Sequence, residues 1–218
     1  MAILSRWRAG LAGVLCAFSL ASPASADTLL DTGAPQSGFF GYWGYDVFVG
    51  QSVTIGFTTA QDYSFDAVSL WLMGNDFQDA GHTLTVSLQS GATQPSGTAL
   101  ESWTFASTAV GWTPVMETLA SVSHPVLRAG MQYWIVAESD EPPFVNPVWV
   151  IASNGGSYTV GNIDFSSSPA WQIGPGTAAP ATWITATPVP EPSALLLGAT
   201  GVPLLLAMAR RRARATPR

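Results

Sequence analysis

The chain of 218 residues contains no lysine and a single cysteine, Cys16, and charged residues make up only 10% of it. Cys16 lies in an N-terminal apolar stretch that we expect to be removed on export. The mature chain would then have no disulfide and no thiol chemistry. A domain of about 160 residues can be stable without disulfides, because a chain of that size buries a sufficient core.

Positive charge is nearly absent from the middle of the chain. Between residues 27 and 187, Arg128 is the only cation and stands against 13 carboxylates, so the net charge there is about −12. This balance excludes nucleic-acid binding, since phosphates are bound by lysine and arginine. The need for solubility is a sufficient explanation of this acidity, which is also compatible with binding of divalent cations or neutral sugars.

Residues 1–26 have the features of a secretory signal peptide. Two arginines precede an apolar stretch at 9–20, and an Ala-Ser-Ala site follows, so we predict cleavage before Asp27. The lipoprotein alternative requires a small residue before Cys16, and Leu15 is not small. The mature chain is therefore expected to lie outside the cytoplasm.

A second apolar segment, 193–209, contains no charged residue and lies close to the C-terminus. As a helix it spans about 26 Å, the lower limit for crossing a bilayer core of about 30 Å. A buried core helix is the alternative interpretation. The basic tail 210–218 favours a membrane helix, because its arginines hold that end on the cytoplasmic side and leave the bulk of the chain on the other. These stop-transfer residues are Arg210, Arg211, Arg212 and Arg214.

The residues before this segment, 185–192, are predicted to form a proline-rich linker. Pro190 and Pro192 keep it extended, because a residue before proline is pushed out of the helical region. Glu191 is therefore expected to be exposed just outside the membrane, where a partner can recognise it.

The Pro-Glu-Pro motif, the apolar helix and the basic tail, in this order, resemble the PEP-CTERM sorting signal of Gram-negative bacteria. The resemblance covers residues 189–214. It implies that an exosortase, an integral-membrane transpeptidase-like protease, recognises Pro190, Glu191 and Pro192 and cleaves nearby, which removes the helix and the basic tail. Such tails are also named after an ice-binding protein, although nothing in this tail predicts ice binding.

The region 27–184 has the alternating pattern of half-buried β-strands separated by Gly/Pro turns. Few residues typical of exposed helix faces are present. We predict an all-β fold, an antiparallel, jelly-roll-like β-sandwich flanked by the signal helix and a single transmembrane helix. The predicted strands cover 51–57, 67–73, 82–88, 100–105, 131–137, 147–152, 157–160 and 171–173.

Three parts of this region resemble the "choice-of-anchor" β-sandwich modules found upstream of PEP-CTERM tails. They are the strand pair within 57–73, the turn at 94–100 and the Leu-Arg-Ala-Gly-Met-Gln-Tyr-Trp segment at 127–134. The resemblance covers about residues 38–165 and implies a sandwich fold. It implies no catalytic residues.

No motif for catalysis or for a cofactor is present. The two histidines, His82 and His124, are not spaced as metal ligands, and there is no Gly-x-Ser-x-Gly nucleophile elbow. We therefore predict no enzymatic activity and no cofactor. Asp76 and Asp79 are weak candidates for calcium, because their segment does not match the known calcium-loop pattern.

The strongest indication of binding is the segment 38–45, which has five aromatic rings interleaved with glycine. Aromatic faces can stack on sugar rings, and Tyr42, Trp43 and Tyr45 are the candidate ligand-binding residues. The alternative is that this segment is the first strand of the sandwich and buries Phe39 and Trp43.

Together these patterns predict an exported, non-enzymatic protein of the cell surface or biofilm matrix. Its expected partners are exosortase, the membrane through a transient C-terminal helix, and extracellular polysaccharide. The alternative is a secreted carbohydrate-active hydrolase that uses loop carboxylates. The candidates for it are three pairs of loop carboxylates: Asp62 and Asp66, Asp76 and Asp79, and Asp140 and Glu141.

Overall fold

The structure, a computed structural model, describes residues 25–38, 41–74, 81–106, 113–143, 147–154, 157–164 and 168–190. Within these ranges the chain forms 15 β-strands and no helix, which confirms the predicted all-β class. All strands belong to one compact unit, Ala26–Val189. The predicted signal and transmembrane helices fall outside the described residues.

The strands predicted at 51–57, 82–88, 100–105, 131–137 and 147–152 agree with the structure within two residues, whereas those predicted at 67–73, 157–160 and 171–173 are longer in the structure. In chain order the strands are β1 (Asp27–Asp31), β2 (Ser37–Gly38), β3 (Gly41–Tyr42), β4 (Gly44–Asp46), β5 (Ser52–Thr58), β6 (Tyr63–Met73), β7 (Thr83–Ser90), β8 (Ala99–Ala106), β9 (Val115–Ala120), β10 (Val126–Leu127), β11 (Gln132–Ser139), β12 (Val148–Val150), β13 (Tyr158–Asp164), β14 (Ser168–Gly176) and β15 (Thr182–Pro188).

The strands form two large antiparallel sheets. The first has the order β1-β15-β6-β12-β4, with β9 and β10 also paired to the long strand β6. The second has the order β14-β13-β5-β11-β7-β8. A small hairpin of β2 and β3 precedes β4. Among the described residues, β1 and β4 therefore end the strand order of the first sheet, and β14 and β8 end that of the second.

Alternation explains why both sheets share one hydrophobic core. In β5, Val53, Ile55 and Phe57 are buried as predicted, and they join a cluster that includes Trp149 and Ile184 of the first sheet. Each fully buried Val, Leu, Ile or Phe contributes about 1.5–3 kcal/mol relative to exposure. The predicted inward residues of β6 and β7 are also buried: Val68, Leu70, Leu72, Leu84, Val86 and Leu88.

The edges of the two sheets are tied together between β8 and β9. Trp103 Nε1 of β8 donates a hydrogen bond to the carbonyl of Ala120 at the end of β9, over 2.9 Å. The Glu101 carboxylate accepts hydrogen bonds from the Ser121 hydroxyl and from the backbone N–H groups of Val122 and Ser123. A carboxylate with three donors is well suited to hold this connection.

Replacement of Glu101 by glutamine is expected to lower the free energy of unfolding by about 1–2 kcal/mol near pH 7, because charge-assisted hydrogen bonds are lost. Partial desolvation tends to raise the pKa of Glu101, but the hydrogen bonds from Ser121, Val122 and Ser123 outweigh it and hold that pKa below its usual value. A lowered folded-state pKa stabilises the fold above the unfolded pKa and ceases to do so as the pH falls through the folded value. Urea unfolding at several pH values should show the difference from wild type shrinking below about pH 4; a difference independent of pH would contradict this role.

The predicted boundary between the domain and its linker is wrong. β15 runs through Pro188 and pairs with β6, so residues 185–188 belong to the sheet. The N–H of Val189 donates to the carbonyl of Asp62 over 2.9 Å, which extends the folded unit to that residue. Small residues hide this strand in the sequence: Ala186 is fully buried, but alanine, threonine and proline are equally typical of linkers.

The first and last strands of the unit lie side by side. β1 pairs antiparallel with β15, and Asp27 lies opposite Ala186. The Thr32 hydroxyl, fully buried, donates to the Pro180 carbonyl over 2.8 Å and accepts the N–H of Thr182 over 2.7 Å. The two ends of the unit are therefore held at one place in the fold.

Candidate functional site

The aromatic segment forms a tight hairpin followed by an edge strand. β2 and β3 pair through Ser37 with Tyr42 and through Gly38 with Gly41. Gly41 has a φ of 98°, a conformation that side-chain-bearing residues rarely adopt, so glycine is needed there. β4 then pairs with β12, and the ladder continues as the Ile151 N–H donates to the Trp43 carbonyl over 3.0 Å.

The three candidate aromatic residues have different environments. Trp43 and Tyr42 are 52% and 36% exposed, so the alternative in which Trp43 is buried is wrong. Phe39 lies outside the described residues. Tyr45 is half-buried, packs against the core and donates its hydroxyl to the Ala178 carbonyl over 2.6 Å. Burial raises the pKa of Tyr45, and the hydrogen bond to Ala178 holds its ring in place.

The ring of Tyr45 forms one wall of a cleft of about 340 Å³. The cleft is lined by residues of β4 and of β14, which end the strand orders of the first and second sheets. Its other walls come from β5, β13 and β14 of the second sheet. The lining residues are Tyr45, Val53, Val160, Gly161, Asn162, Gln172, Ile173, Gly174 and Pro175.

Strand register shows which side chains enter the cleft. Val160 lies opposite Gly174 and packs against the core, so Gly174 is also on the inner face. A Cβ placed on Gly174 would meet no atom within 4 Å, which shows open space at this point. Asn162 lies opposite Gln172 and Val53, which brings two side-chain amides to the same inner face.

None of the residues that line this cleft carries a charge, although the unit around it is strongly acidic. The lining combines one aromatic ring, aliphatic side chains and amides that can both donate and accept hydrogen bonds. This combination suits an uncharged ligand with both apolar and hydroxyl surfaces. No carboxylate, histidine or lysine occurs among the lining residues.

The loop carboxylates considered for the hydrolase alternative have structural partners. Asp62 accepts the backbone N–H of Ala129 over 2.9 Å and a hydrogen bond from Arg128 over 2.6 Å, and these hold its pKa below the usual value. The backbone N–H of Thr83 lowers the pKa of Asp140 in the same way. Lowered pKa values are the opposite of what a general acid in a glycosidase needs.

The two histidines lie next to loop carboxylates of the hydrolase alternative, and His124 Nδ1 is 3.9 Å from Asp66 Oδ1. His82 lies 3.5 Å from Asp140, while His124 contacts the carbonyl of Phe65 over 3.0 Å. Asp66 accepts the hydroxyl of Thr187 over 2.7 Å. Glu141, the partner of Asp140 in the hydrolase alternative, is fully buried.

No group of three His, Cys, Asp or Glu residues that could hold a metal ion occurs in the part of the chain that the structure describes. The calcium candidates Asp76 and Asp79 lie outside that part.

Of the sorting motif, the structure describes Pro190, which is exposed directly after the folded unit. Glu191, Pro192, the segment 193–209 and the arginines from Arg210 onward lie outside the described residues. Within residues 25–190, where described, no helix is long and apolar enough to cross a membrane.

Sequence patterns located Tyr45 but missed the other walls of the cleft. Asn162, Gln172 and Gly174 are more than 100 residues from Tyr45 in the sequence, and they carry no local motif. Their only signal was the alternation of two late strands, which indicates a sheet but not its neighbours.

No protein-family model matches the chain, and no curated protein matches it either.

Proposed function

We propose that the chain is an exported, non-enzymatic protein that an exosortase sorts through its C-terminal tail. Its place of action is the cell surface or the extracellular polysaccharide matrix of a Gram-negative bacterium. The single observation that carries this proposal is the order of the tail: a Pro-Glu-Pro motif, an apolar segment of membrane length and four arginines within five residues. In this proposal the all-β unit is a jelly-roll-like sandwich, flanked by a signal helix and a transmembrane helix that processing removes.

The ends of the folded unit are consistent with removal of both flanking segments. β1 begins at Asp27, the residue after the predicted signal cleavage site, and the Asp27 carboxylate accepts the Tyr63 hydroxyl over 3.1 Å. The last backbone hydrogen bond of the unit is made by Val189, immediately before the Pro-Glu-Pro motif. Cleavage at either site would therefore leave the hydrogen-bonded unit whole.

Intact-protein mass spectrometry of material from a host that has an exosortase tests the sorting proposal. We expect an N-terminus at Asp27 and loss of residues 210–218 from surface-delivered protein. A variant with Pro190→Ala and Pro192→Ala should retain the tail and stay in the inner-membrane fraction. A variant with Pro142→Ala, at an exposed loop position far from the motif in sequence, should be processed as wild type. Surface protein with an intact arginine tail would refute processing.

The matrix association is tested separately with extracellular polysaccharide from the same host. Processed protein should co-sediment with the polysaccharide and be released by enzymes that degrade it. Protein that remains in the supernatant at every polysaccharide concentration would remove this part of the proposal while leaving the sorting part intact.

A further inference from the structure

The cleft beside Tyr45 lies at the open side of the two sheets. Tyr45 comes from β4, whose described partner is β12, and Gly174 comes from β14, whose described partner is β13. Each of the two strands ends the strand order of a different sheet, and the cleft is partly open to solvent. A ligand can therefore enter from solvent without any strand being displaced.

The chemistry of the walls selects against charged ligands. An anion would find no lysine or arginine among the lining residues, and it would be repelled by a unit with a net charge of about −12. A metal cation would find no carboxylate or histidine among the same residues. The ligand that fits is neutral.

The same walls match the two surfaces of a sugar ring. A pyranose has apolar C–H faces, which stack on an aromatic ring such as Tyr45, and hydroxyl groups around its edge. The side-chain amide of Asn162 can donate to one hydroxyl and accept from another. Val53 and Val160 contribute apolar surface between these polar and aromatic groups.

The size of the cleft limits how much of a chain it holds. A volume of about 340 Å³ is at the low end of the range for small-molecule sites, about 300–1,000 Å³. One ring fits this volume better than a peptide segment. Trp43, two residues before Tyr45 and exposed, extends the same ladder and presents aromatic surface beyond the cleft for a neighbouring ring.

We infer that this cleft binds one neutral pyranose unit of a polysaccharide, stacked on Tyr45 and hydrogen-bonded by Asn162. The identification of a matrix polysaccharide as its natural source rests on the proposed function. The binding chemistry itself follows from the walls of the cleft and does not depend on how the protein is sorted.

Isothermal titration of the full chain tests this inference. The protein is held in a polyoxyethylene detergent, because sugar-based detergents would compete. The titrants are methyl β-glucopyranoside, methyl α-mannopyranoside, methyl β-galactopyranoside and glucuronate. At least one neutral glycoside should bind with a Kd of about 1 mM, and glucuronate at least about tenfold more weakly because of its charge. The inference would be overturned if none of the three neutral glycosides bound at about 50 times that expected Kd, or if the protein preferred glucuronate.

Gly174→Leu locates the binding to the cleft. The new side chain fills open space, and the backbone of Gly174 is not in the left-handed region, so the fold should be kept. Glycoside affinity should fall at least about tenfold. Ala99→Leu is the matched control, because it introduces the same leucine side chain in β8, the opposite edge of the same sheet, at an exposed position. Equal affinities in the two variants would place the sugar elsewhere and refute the cleft.

Asn162→Ala gives a second measure that does not depend on filling space. It should weaken the glycoside at least about fivefold, with an unfolding midpoint close to that of wild type. Unchanged affinity would remove Asn162 from the site. A protein that is processed at its tail but binds no glycoside overturns this inference alone. One that binds glycosides but keeps its tail overturns the sorting proposal alone.

Discussion

Gly44→Val is expected to lower the free energy of unfolding by about 3 kcal/mol, the upper part of the range for overpacking. Gly44 is in β4 opposite Val150, and a Cβ there would overlap the carbonyl oxygen of Trp149 and lie 2.7 Å from the Cα of Val150. Backbone atoms cannot move aside as a flexible side chain can. The pairing of β4 with β12 would have to open, and Tyr45 would lose its position beside the cleft.

Gly174→Val is the matched control for this prediction. Gly174 is also a strand glycine with an ordinary φ, but its Cβ would meet no atom within 4 Å. Valine favours strands, so the stability of this variant should equal or slightly exceed that of wild type. Urea unfolding followed by tryptophan fluorescence compares the two. Similar midpoints for both variants would mean that β4 does not approach β12 as described.

Trp149→Ala is expected to be the most destabilising single change, at about 3–5 kcal/mol. Trp149 is fully buried in the shared core, and its Nε1 donates to the Ala181 carbonyl over 3.1 Å. Alanine would leave a large cavity between the sheets and remove this hydrogen bond, although the Ala181 carbonyl would still accept the backbone N–H of Trp71. Thermal unfolding monitored by near-ultraviolet circular dichroism measures the loss.

Trp183→Ala is the control for Trp149→Ala, because it removes the same type of residue from an exposed position. Trp183 is in β15 of the same sheet but is 44% exposed, and its Nε1 hydrogen bond to Thr28 is long at 3.2 Å. Its removal should cost about 1 kcal/mol or less. A loss as large as that for Trp149→Ala would contradict the assignment of Trp149 to the core.

Local sequence patterns were sufficient to predict the strands in which large apolar side chains alternate with smaller or polar ones. β5, β6 and β7 carry large apolar residues at every second position, and their inward residues were identified correctly. β15 was missed in part because its later inward residue is Ala186, which contributes little hydrophobic signal. Period-two alternation is detectable only when the buried side chains differ clearly from the exposed ones.

The candidate site required information that no single segment carries. The aromatic segment predicted Tyr45, Trp43 and Tyr42 together, but only Tyr45 lines the cleft. The partners of Tyr45 come from strands in the other sheet, and strand order depends on contacts across the whole unit. Asn162 and Gly174 are ordinary residues in isolation, and they become a site only through the register of β13 with β5 and β14.

The pairing of β1 with β15 makes completion of the fold a late event. Thr32 and Thr182, which hydrogen-bond to each other, are separated by 150 positions in the sequence. A chain made from its N-terminus therefore cannot complete its first sheet until nearly all of it has emerged, and contacts of such long range make folding slow. Because β15 is followed within two residues by the Pro-Glu-Pro motif, the last strand becomes available to the fold just before that motif does. The first sheet is therefore completed only when the Pro-Glu-Pro motif is itself about to become available.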